Sequence, residues 1–78
     1  MGLAAEVLAE WREAERVLSI LPDEAPERPR VVAAVEEMRQ LYRYVSGDLT
    51  TKTTNVIAQT RARIEETQAL LQAVRANR

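Results

Sequence analysis

Seventy-eight residues with a net charge of −1, no cysteine and no histidine make one small domain at most. That composition excludes disulfide staples, thiol nucleophiles and imidazole chemistry, and it removes the usual zinc ligands. A chain this short has a thin core, so association with a partner chain is the remaining route to extra stability.

The charge is uneven. Residues 1–27 carry seven acids against Arg12 and Arg16, whereas residues 28–78 carry nine bases against five acids, and Lys52 is the only lysine. An acidic first third and a basic remainder predict that the two parts pack on each other. The first residues, "MGLAAEVLAEW", have no basic leader and include Glu6 and Glu10, unlike a signal peptide. No uncharged apolar run reaches the length of a membrane span. These features predict a cytoplasmic chain with no membrane contact.

Few glycines and abundant Ala, Glu, Arg, Gln and Leu predict an all-α fold. Apolar residues at Leu3, Val7, Trp11, Ala14, Leu18 and Leu21 form the stripe of an amphipathic helix over residues 3–21. Ala4, Leu8, Val17 and Ile20 widen that stripe enough to meet two neighbours. Trp11 sits within it as a core anchor. Pro22 ends the helix, because the residue before a proline is driven towards extended geometry.

"PDEAPERP" then gives a stiff, charged linker over residues 22–29, with Pro26 or Pro29 placed to start a second helix. That helix runs over about 30–45, with Val31, Val35, Met38, Leu41, Tyr42 and Val45 on one side. A turn follows at 46–48, where Gly47 can adopt the left-handed conformation and Asp48 can cap the next helix. One kinked helix through Gly47 is the alternative.

The third helix, over about 49–76, is the longest, and its pattern repeats every seven residues. Thr50, Ile57, Ile64 and Leu71 alternate with Thr53, Thr60, Thr67 and Val74, a coiled-coil-like seam flanked by Val56 and Leu70. A helical threonine can bond the carbonyl one turn back and leave its methyl to pack. Two readings compete: border positions of an ordinary bundle, or a weak, register-specific interface. The second nominates Ile57, Thr60, Ile64, Thr67, Leu71 and Val74 as interface residues between chains. The architecture is then an antiparallel helical hairpin or a three-helix bundle with a long C-terminal helix.

Candidate chemistry is sparse. Glu6, Glu10 and Glu13 share one helix face, but without histidine they read as an acidic face in water rather than a metal site. No phosphate loop, nucleophile elbow or zinc signature occurs, and Ser19 and Ser46 have no candidate base. The sequence therefore predicts a chain that is not an enzyme and needs no cofactor. Tyr44, beside Arg43 near the turn, is a candidate partner contact.

The function these features predict is a non-catalytic protein–protein interaction module: a small scaffold, adaptor or chaperone-like protein. It would self-associate through its long C-terminal helix as a homodimer or higher oligomer. The alternative is a small nucleic-acid-binding regulator using Arg61, Arg63, Arg75, Arg78 and Lys52. Against it, Arg61 and Arg63 point about 200° apart on a helix, and Glu65 and Glu66 interrupt any basic stripe.

Overall fold

A computed structural model of the chain describes residues 2–47 and 54–77. Three helices, α1 (Leu3–Ile20), α2 (Arg28–Gly47) and α3 (Thr54–Ala76), pack side by side into an all-α three-helix bundle of 42 × 19 × 18 Å. Asp48, Thr50 and Thr53 lie outside the described residues.

The α1 helix starts without a side-chain cap. The Gly2 carbonyl accepts the amides of Ala5 and Glu6 at 3.1 and 3.2 Å. At its other end Leu21 is extended (ψ 132°), as Pro22 requires, while its amide still reaches the Leu18 carbonyl. The connection to α2 differs from the solvated linker that its charges suggest. Leu21 and Ala25 are buried, and Glu27 is only 8% exposed. Its backbone groups are also satisfied locally. The Ala25 amide donates to the Pro22 carbonyl, and the Arg28 guanidinium donates to the Leu21 carbonyl, each at 3.1 Å. The Glu27 carbonyl accepts the amides of Arg30 and Val31, so α2 begins with Pro29 inside its first turn, where a missing N–H costs little.

The end of α2 departs from expectation. The helix continues past Val45 as far as Gly47, after which the next described residue is 54, and the φ of Gly47 is not positive, so no left-handed closure is made at Gly47. The Ser46 hydroxyl instead folds back and donates to the Tyr42 carbonyl at 2.6 Å.

Ion-pair register gives the helix directions. Glu6 meets Arg61 and Glu13 meets Arg75, so α1 and α3 run parallel; α2 runs antiparallel to both, its Arg30 end beside Leu70 and its Tyr44 end beside Val56. Packing is unequal: α1 lies most extensively on α2, less on α3, and α2 and α3 touch least. Two apolar clusters form the core. Ala14, Val17, Leu21, Ala25, Val31, Leu71 and Val74 fill the linker end. Val7, Met38, Val45 and Ile64 fill the other end, with Trp11 and Tyr42 against them at 5.8 Å between ring centroids.

Candidate protein-binding groove

The α3 helix carries three parallel stripes, each repeating every seven residues. The middle stripe is the threonine seam. Thr60, Ile64, Thr67, Leu71 and Val74 are all buried, and Ile57 is half-buried, within the single chain. Of the six residues nominated for a contact between chains, Ile64, Leu71 and Val74 thus pack into core clusters with α1 and α2 of their own chain. Thr60 and Thr67 are each 3% exposed, so they are not half-exposed border positions either.

A second stripe, Arg61, Gln68 and Arg75, faces α1. The Arg61 Nη2 donates to Glu6 Oε2 at 3.0 Å, and Arg75 pairs with Glu13, which also accepts from Arg16 at 2.7 Å. Between them Glu10, only 7% exposed, lies beside Gln68. Burial pushes the Glu10 carboxyl above its ordinary value, against the opposing pull of Gln68 and the Arg75 charge. The acids of α1 are therefore not a solvated face. They form a polar seam that holds α3 on α1.

The third stripe, Val56, Arg63 and Leu70, faces α2 and is where the bundle is open. Opposite it α2 presents Ala33, Glu37, Leu41 and Tyr44, at helical steps of four, four and three. A concavity of about 570 Å³ lies over Ala33, Glu37, Leu41, Tyr44 and Arg63. It adjoins one of about 320 Å³ floored by Ala34, Thr67 and Leu70, and another of about 270 Å³ floored by Leu41, Val56 and Thr60. Shared lining residues make these one furrow between α2 and α3. Ala33 and Ala34 on one wall and Thr60 and Thr67 on the other explain it, because short side chains leave the space between two helices unfilled.

Charge crosses the furrow once in its middle: Arg63 Nη1 donates to Glu37 Oε2 at 2.8 Å. Both side chains remain substantially exposed, so the pair is worth little by itself. On the outer rim Arg39 grips Glu36 through two hydrogen bonds, which hold the Glu36 carboxyl below its ordinary value and raise the Arg39 guanidinium.

Tyr44 is 49% exposed and lines two of the three concavities. Arg43 is also exposed but does not line the furrow; its charge acts on Glu36. Sequence reasoning missed Ala33, Glu37 and Arg63. The available signal was Val56 and Leu70 flanking the seam, with Arg63 midway between them at the same spacing.

Each of the three arginines of α3 (Arg61, Arg63 and Arg75) bonds a carboxylate. Lys52 and Arg78 lie outside the described residues. Among the described residues no group of three acids could hold a metal ion, and no helix is long and apolar enough to cross a membrane. No family model, curated protein or solved structure matches the chain.

Proposed function

We propose that the chain is a non-catalytic helical protein–protein interaction module whose α2/α3 furrow receives an amphipathic helix from a partner protein. The observation that carries this reading is the furrow itself. Two antiparallel helices frame an apolar-floored channel along the face where they touch least, with the exposed ring of Tyr44 at one end. A helix laid there would complete the burial of Leu41, Val56 and Leu70, the mode in which grooves read side chains one turn apart. Tyr44 supplies a large, two-torsion contact of the kind that concentrates binding energy. Association through α3 uses this outer stripe, since the threonine seam is occupied by the chain's own helices.

The test is site-specific photo-crosslinking in the cells that make the protein. The photoreactive benzoylphenylalanine replaces Tyr44 in one version and Ser19, exposed on α1, in a control. A discrete adduct from position 44 alone, lost when Leu41→Lys is added, is the expected result. Equal adducts from both positions, or none from position 44, would overturn the proposal.

A further inference from the structure

We infer that the occupant of the α2/α3 furrow is a second copy of the same chain, related by a twofold axis running along the furrow; this rests on the reading of the furrow as a helix-binding face. The argument is charge complementarity, level by level. At one end Arg30 on α2 and Glu66 on α3 line the same concavity. In the middle Glu37 on α2 meets Arg63 on α3. At the other end Tyr44 on α2 and Val56 on α3 share a concavity. Opposite charges therefore lie across the furrow in the first two places, and an aromatic–apolar pair lies in the third.

A twofold axis along the furrow exploits that arrangement. It sets α2 of one copy against α3 of the other at the same height, as an isologous contact requires. Glu37 then faces Arg63 of the second copy and Tyr44 lies over Val56, while Arg30 sits about 6 Å along the axis beyond Glu66 of the second copy, within reach of its long side chain. A twofold axis across the furrow at the level of the central pair would instead set Glu37 against Glu37 and Arg63 against Arg63. The favoured axis also suits the helix directions. Since α2 and α3 are antiparallel within one chain, every new neighbour is antiparallel too, which is the arrangement of a four-helix bundle. The two apolar floors become its interior, and the central ion pairs join into a ring of two carboxylates and two guanidiniums. A charged layer of that kind fixes register more than it adds affinity, so the association is reversible.

The test is sedimentation equilibrium of the wild-type chain, of Glu37→Arg and Arg63→Glu alone, and of an equimolar mixture of the two variants. Circular dichroism first establishes that each variant is helical, which the surface position of the pair favours. The wild type is expected to dimerise with rising concentration. Each single variant sets like charges against each other across the axis and raises the dissociation constant by roughly a hundredfold. In the mixture both opposite-charge contacts return between unlike chains, and affinity recovers to the wild-type value. A role of the pair inside one chain predicts no rescue on mixing. A wild type that stays monomeric up to millimolar concentration, or a mixture no tighter than its components, overturns the inference. If that happens while position 44 still crosslinks a different protein, the furrow stands as a binding face and only its occupant is wrong. If position 44 yields no adduct, the functional reading falls as well.

Discussion

Replacing Ile64 by alanine separates a seam buried within the chain from one buried between chains. Ile64 is 6% exposed and packs against Val7, Met38 and Val45, side chains from both other helices. Removing a buried isoleucine to its β-carbon costs about 2–5 kcal/mol, and contacts from two sides with little freedom to collapse place the cost near 3 kcal/mol. A domain of this length has total stability on the order of 4–12 kcal/mol. The variant should remain folded at low temperature, with a melting temperature lowered by about 12–24 °C. Ile57, one heptad earlier, is only half-buried, so the same change there should cost about 1.5 kcal/mol or less. Thermal unfolding followed by circular dichroism at two protein concentrations a hundredfold apart provides the readout. A loss at Ile64 smaller than that at Ile57 would refute the reasoning. So would a difference between the variant and wild type that exists only at high concentration, because the seam would then belong to an interface.

Three further substitutions probe other parts of the bundle. Glu10→Gln should stabilise the protein at neutral pH, because a carboxyl raised by burial is costly while ionised; the advantage should shrink as pH falls through the raised value and vanish below the ordinary one, near 4.5, as urea unfolding across pH can show. The opposite sign holds for Glu36, whose lowered value contributes stability at neutral pH that disappears on acidification below it. Trp11→Phe removes the one buried side-chain polar atom without a hydrogen-bond partner among the described residues, the indole Nε1; relief of that donor should offset the lost volume to within about 1 kcal/mol in chemical unfolding. Arg75→Glu sets a third carboxylate beside Glu13 and Glu10, and should loosen the last turns of α3, seen as reduced helicity that added salt partly restores.

The helical class and the long third helix were legible because each helix carries a sustained apolar period. The polar stripes were harder to place. Glu6, Glu10 and Glu13 look alike in sequence, yet Glu10 is buried while its neighbours reach arginines 55 and 62 residues away. Nothing local distinguishes an acid that faces water from one that faces a distant guanidinium. The threonine seam is buried with the period the sequence shows, but a heptad pattern states only that a stripe is buried and is silent on which chain buries it; here helices of the same chain cover it. Gly47 was misjudged because a glycine at a helix end is free to turn left without being obliged to. The furrow itself lies where small side chains on two helices coincide, a tertiary accident of register between Ala33, Ala34, Thr60 and Thr67.

The connection between α1 and α2 has a consequence for how the chain assembles. Seven residues join these helices, three of them buried, and the Arg28 side chain ties the joint by bonding back to Leu21. The most extensive helix–helix contact in the molecule therefore closes a loop of only seven residues, and its entropic cost is small. By contrast, α3 meets α1 only across most of the chain, through ion pairs as well as the shared apolar core. Folding should thus be sequential in sense: a hairpin of the first two helices serves as nucleus, and the third helix adds on as it becomes available. During synthesis from the N-terminus that order matches the order in which the helices leave the ribosome. The groove, needing both α2 and α3, is the last surface of the molecule to exist, so a nascent chain cannot engage a partner there before its own core is complete.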